Sequence, residues 1–118
     1  LEHLNKVDAF MTTTDTLMQS GGETALIKIS LKHNIPILSS NKSGIEKGST
    51  YGPVADFYTL GKISGTQAAE ILINGTKPEK MESKQQDPPL FLVNKNSINS
   101  LNLVISGEAR KKITWVDE

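Results

Sequence analysis

The sequence predicts an α/β fold layered on a largely parallel sheet, and three observations carry that prediction. Short apolar runs of strand length alternate with longer stretches whose apolar residues repeat at helical spacing. The resulting order is strand, helix, strand, loop, helix, strand, helix, the alternation of a layered α/β structure. Polar clusters begin at Thr12 and Ser40, each at the carboxyl end of a strand. Ligands of open α/β sheets sit at such ends, so the pattern gives a location before it gives a chemistry. A chain of 118 residues accommodates one domain or one lobe.

Val7-Asp8-Ala9-Phe10-Met11 reads as the first strand, closed by the polar run Thr12 to Thr16. A helix is expected from about Leu17 to His33, with Leu17, Ala25, Leu26 and Ile29 near one face. Thr14 or Asp15 suits its start and Asn34 its end. Gly21-Gly22 lies inside it, where each glycine costs about 1 kcal/mol relative to alanine unless it admits a neighbouring element. Ile35 to Ser39 is the second strand, with Pro36 at its opening where a missing donor does little harm. A polar loop with room for a helical turn covers 40–48, a brief strand Ser49 to Gly52, and a connection Pro53 to Asp56.

The second long helix is expected from about Phe57 to Ile73, stopped by Asn74-Gly75. Gly61 and Gly65 fall four apart on one of its faces, a spacing that lets another backbone approach. Lys77 to Pro89 reads as a loop, Leu90 to Asn94 as a third apolar strand, and Ser97 to Leu101 as a short helix. Beyond Asn102 helical periodicity is weak, although Leu103-Val104-Ile105 is apolar enough to pair. Arg110-Lys111-Lys112 reads as a solvated tail.

Composition excludes several classes of function. Thirteen Lys and Arg balance thirteen Asp and Glu, so no surplus of cations is present to hold a nucleic-acid backbone. The absence of cysteine removes thiol catalysis, thiolate metal sites and disulfides. No apolar run approaches the ~20 residues of a membrane span. Leu1-Glu2-His3 lacks the basic and apolar regions of a signal peptide, and a chain opening on Leu is expected to be trimmed.

The only histidines are His3 and His33, the latter placed where its charge suits a helix C-terminus, and no spacing builds a zinc site. No cofactor is expected. Asp8, Asp15 and Asp56 are carboxylates that nothing in the sequence pairs for acid–base work. The run Ser43 to Thr50 has glycines and a lysine, but the lysine precedes the second glycine, the reverse of a phosphate loop. Asn41-Lys42-Ser43 and Asn74-Gly75-Thr76 match the glycosylation sequon, a pattern short enough to arise by chance.

Taken in order, these segments resemble substrate-binding proteins of ABC transporters, of the tryptophan/tyrosine-uptake type. Val7-Asp8-Ala9 followed by Thr13-Thr14-Asp15-Thr16 is similar to that family's first segment, and Asn34-Ile35-Pro36-Ile37 and Ile45-Glu46-Lys47-Gly48 to the next two. Tyr51-Gly52, then Asp56-Phe57-Tyr58-Thr59-Leu60-Gly61, then Gly65, Ala68-Ala69, Ile71-Leu72 and Asn74-Gly75 continue the likeness. Leu92-Val93-Asn94 ends it, so that the resemblance covers about Val7 to Leu103.

The resemblance implies a type I periplasmic-binding-protein fold, a Rossmann-like three-layer lobe, of which this chain is the C-terminal, incomplete portion. Residues 7–52 would supply second-lobe elements, 56–75 a helix returning to the first lobe, and 90–103 the terminal strand and helix. It implies a small-molecule ligand between two lobes, a membrane permease as partner, a periplasmic or membrane-anchored extracellular location, and no catalysis. A chain lacking the rest of its protein is expected to cover exposed surface by dimerising or swapping elements.

By the same resemblance Thr14, Asp15, Asn41, Tyr51 and Asp56 would contact the ligand. Each also has a plainer reading: helix capping for Thr14, Asp15 and Asp56, a turn for Asn41, strand packing for Tyr51. Asn41 stands where the family often carries an acid, which removes a charge from any partner of a ligand amino group. Two other functions stay open at this point. A ligand-sensing regulatory domain of the same fold would carry a DNA-binding segment upstream, and an α/β enzyme would lose turnover on Asp15→Ala.

Overall fold

A computed structural model describes residues 4–116. Five strands, β1 (Phe10–Thr12), β2 (Ile37–Ser39), β3 (Tyr51–Val54), β4 (Leu90–Asn94) and β5 (Thr114–Val116), form one sheet in the order of the chain. Pairing is parallel for β1–β2, β2–β3 and β4–β5, and antiparallel for β3–β4. The sheet is therefore mostly parallel, as expected, with one reversal. That reversal has a simple origin: residues 55–89 leave and re-enter the sheet at Val54 and Leu90, which pair with each other.

The chain divides into two compact units, 1–54 with 90–118, and 55–89. In the first, burial along β3 alternates, with Gly52 and Val54 inward and Tyr51 and Pro53 outward. Ile45 of the short helix α2 (Lys42–Glu46) packs with Val54 and Leu92 as the core on the inward side, and Leu90 and Val116 extend it. Buried Ile27 on helix α1 (Glu23–His33), with Ile35 and Ile37, completes the apolar interior next to it. On the outward side Met11, Leu38, Tyr51, Val93 and Trp115 stand in register across all five strands. Val93 is buried there, whereas Met11 is 75 % exposed.

The expected elements recur with informative shifts. β1 starts at Phe10 instead of Val7, because its ladder begins only where Ile37 stands opposite. The first helix is interrupted: a helical turn at 16–17 leads into a π-helical turn over Met18–Gly22, and α1 proper starts at Glu23. Gly21 adopts φ +123°, a conformation that side chains resist, so the glycine pair breaks the helix. Asn34 closes α1 in the left-handed conformation, as its position predicts. Pro53 falls inside β3, not after it. The β2 ladder reaches only Tyr51, so Pro53 sits where β4 alone pairs.

After β4 come α4 (Lys95–Ser100) and a C-terminal stretch whose weak helical periodicity predicts only a tail. Leu103-Val104-Ile105 does not pair. Instead α5 (Gly107–Arg110), capped by Ser106, turns the chain back so that Thr114–Val116 adds the fifth strand. Arg110 donates from Nε to the Ile105 carbonyl at 3.3 Å, so the basic triplet is part of this turn and not a free tail.

The second unit is built on α3, which is here Phe57–Asn74 with Gly75 as its left-handed C-cap. One side of α3 carries the half-buried residues Thr59, Leu60, Ile63, Gln67 and Glu70. Gln67 holds the return segment by donating to the Glu82 carbonyl at 3.2 Å. Phe57, Gly61, Gly65, Ala68 and Leu72, on the other side, are exposed, Leu72 by 83 %.

Candidate ligand-binding site

The loops after β1 and β2 are tied together by side chains. Thr14 and Ser40 hydroxyls lie 2.7 Å apart, and Ser40 Oγ reaches back to the Thr12 carbonyl at 3.4 Å. Asp15 follows at once and is spent largely on its own loop. Its Oδ1 accepts from the Met18 amide at 3.0 Å and its Oδ2 from the Thr13 hydroxyl at 2.5 Å. This satisfies an amide of the first helical turn. The Thr13 hydroxyl first, and the Met18 amide second, hold the Asp15 carboxyl below its ordinary pKa.

Asn41 opens α2 and is anchored at both ends. Its backbone N–H donates to Ser39 Oγ at 3.0 Å, and its side-chain Nδ2 donates to Glu23 Oε2 at 2.9 Å. Glu23 is the residue that the sequence reading passed over. It is 2 % exposed, and its second oxygen, Oε1, accepts from the buried Ser49 hydroxyl at 2.6 Å. A buried carboxylate without partners would be costly, and these two donors are what its burial requires. Gly44 makes room for it: a Cβ there would lie 2.1 Å from the carboxylate. A sequence signal was present in hindsight, since Glu23 follows the glycine break and Gly44 lies in a polar loop, but only the tertiary approach joins them.

Further polar groups continue the same support. Thr50 Oγ1 accepts from the Ile37 amide at 2.9 Å, Asn94 Nδ2 donates to the Ile45 carbonyl at 2.8 Å, and Ser97 Oγ donates to the Gly48 carbonyl at 2.6 Å. These bonds fix α2 and the loop after it against β2, β4 and the start of α4. Thr12 Oγ1, at the end of β1, is the one buried side-chain polar atom without a partner among the described residues.

Thr14, Asp15 and Asn41 are thus brought onto two linked loops at the carboxyl ends of β1 and β2. Tyr51 is placed elsewhere. It lines an apolar cleft of about 480 Å³ with Val93, Ile98, Leu103, Val104 and Ile113, which none of those three residues enters. Asp56 belongs to the second unit, at the N-cap of α3, where its Oδ2 accepts from Thr59 Oγ1 at 2.6 Å and its amide donates to Gln86 Oε1 at 2.8 Å. No group of His, Asp and Glu suited to hold a metal ion exists among the described residues. No described helix is long and apolar enough to cross a membrane.

Comparison with known proteins agrees with this architecture. In fold the chain is similar to a domain from Streptococcus pneumonia solved in complex with L-Trp, at 23 % identity and a TM-score of 0.77, covering 98 % of this chain and 39 % of that one. It is equally similar to a ligand-free, open substrate-binding protein with adhesive properties from Clostridium difficile, at 24 % identity and a TM-score of 0.77 over 98 % of this chain and 38 % of that one. A conserved domain protein from Vibrio cholerae matches at 20 % identity and a TM-score of 0.76, over 99 % and 38 % respectively. The chain therefore spans about two fifths of the length of these structures. A search of curated sequences gives no significant match. The sequence profile described as ABC transporter substrate binding protein matches residues 2–115, and the chain belongs to that family.

Proposed function

We propose that this chain is the C-terminal portion of the solute-binding component of a bacterial ABC uptake transporter. The whole protein captures a small molecule such as an amino acid in a cleft between two lobes and presents it to a membrane permease. Its place of work is the periplasm, or the outer face of a membrane to which it is anchored. Capture is non-catalytic.

The observation that carries this reading is the pair of loops joined through Thr14 and Ser40 at the carboxyl ends of adjacent parallel strands. That is where open α/β sheets take their ligands, and the polar side chains of Thr14, Asp15 and Asn41 are suited to orienting a small polar solute. An amino-acid ligand is favoured by the family and by the L-Trp held in a structure of the same fold.

The test is a thermal-shift screen of the complete protein against the amino acids and common sugars, L-tryptophan included. A true ligand at a hundred times its Kd adds about 2.7 kcal/mol of stability, a shift well within reach of the method. Absence of any shift across the panel would sink the reading. The isolated chain, with Phe57, Tyr58, Leu72 and Ile73 exposed, covers that apolar surface by pairing with a second copy. Light scattering that gives a clean monomer at high concentration would count against that pairing.

A further inference from the structure

We infer that Glu23 sets the chemical polarity of Asn41, and so selects ligands that bring a hydrogen-bond donor to the loop after β2; this rests on the binding reading given above. Both oxygens of Glu23 accept, one from Ser49 Oγ at 2.6 Å and one from Asn41 Nδ2 at 2.9 Å. Ser49 is wholly buried, so its hydroxyl has no water to turn to instead. Gly44 packs against the carboxylate and closes that side of it.

Both Glu23 oxygens act as acceptors here, whereas an Asn amide has a donating and an accepting end. Facing Glu23, Asn41 must turn its NH2 inward. The atom left over is Oδ1, which has no hydrogen bond among the described residues and is not among the buried orphans. Position 41 therefore presents a carbonyl acceptor on the loop after β2, next in sequence to Ser40. The loss of an acid here does not lose the preference for a ligand donor. It keeps an acceptor, without the cost of two carboxylates facing each other across the 2.9 Å that now separates Asn41 from Glu23.

The preference belongs to the pair, and a substitution at Glu23 moves it. In Glu23→Gln the side chain can donate as well as accept, so either orientation of Asn41 is satisfied and the carbonyl is no longer held outward. In Glu23→Gln combined with Asn41→Asp, the new amide donates to the new carboxylate while its oxygen still takes the Ser49 hydroxyl. An outward acceptor is then restored.

Two measurements on the complete protein test this. The first uses selective 15N-asparagine labelling and follows solvent exchange of the Asn41 side-chain amide protons by NMR, without any ligand. The wild-type protons exchange slowly, and Glu23→Gln speeds them at least about tenfold; free-amide exchange in the wild type overturns the inward orientation. The second compares, by calorimetry, L-tryptophan with indole-3-propionate, the same molecule without its ammonium. Loss of a bond to a charged donor corresponds to about tenfold or more in affinity. The wild-type preference for L-tryptophan therefore falls at least about tenfold in Glu23→Gln and returns in the double variant. A preference unchanged in Glu23→Gln overturns the selection. If the wild type binds neither compound while its Asn41 protons exchange slowly, the amino-acid reading fails and the polarity of Asn41 stands.

Discussion

Thr12 is 95 % removed from solvent, being 5 % exposed, and its hydroxyl meets no partner there. Such a group forfeits its bond to water and gains nothing in return, at a cost of about 1–3 kcal/mol. Valine has nearly the same shape, so Thr12→Val is expected to raise stability by about 1 kcal/mol in urea unfolding. A loss would mean that the hydroxyl is engaged. Asp15 behaves differently, because its carboxylate is used. Thr13 and Met18 hold its pKa below the ordinary value in the folded state. Its stabilising effect is therefore complete above the unfolded pKa and is lost as pH falls through the lowered folded one. Asp15→Asn keeps a capping side chain without the titration. Between about pH 5 and about pH 2 the variant is expected to lose less stability than the wild type, and parallel pH profiles would refute the assignment.

At the scale of elements, the strength of the apolar patterns decided what could be read in advance. α3 and β4 were legible nearly to the residue, because a long apolar stripe ending in Asn74-Gly75 and a compact run Leu90–Asn94 have few competing readings. β5 was not, since three residues, Thr114–Val116, become a strand only by pairing with Leu92–Asn94 of β4. The same holds for the site. The two polar loops were visible as clusters, but Glu23 joins Asn41 across 18 residues and Ser49 across 26, and nothing local announces either bond. α2 shows how much rests on that join. A methyl group at Gly44 would collide with the Glu23 carboxylate, so Gly44→Ala is expected to cost about 1–3 kcal/mol, as other overpacked sites do. Chemical denaturation measures it, and an unchanged midpoint would show that the carboxylate has room to move.

For the whole molecule the open question concerns the bare side of α3. Phe57, Gly61, Gly65, Ala68 and Leu72 line it, all exposed, and a Cβ at Gly61 or Gly65 would touch nothing within 4 Å. An apolar helix face commonly packs on a core, and small residues four apart let a second backbone come close. Our proposal that 56–75 returns to the first lobe makes the two forms of the protein respond in opposite ways to one substitution. In the 118-residue chain, Gly61→Ala replaces a flexible residue in a helix interior with a better helix former. It is expected to raise stability by about 0.5–1 kcal/mol, measured at dilution low enough to keep the chain monomeric. In the complete protein the same methyl group meets the packed neighbour and is expected to cost about 1–3 kcal/mol. A gain in both forms would leave α3 facing solvent in the whole protein and would remove the first-lobe assignment for residues 56–75.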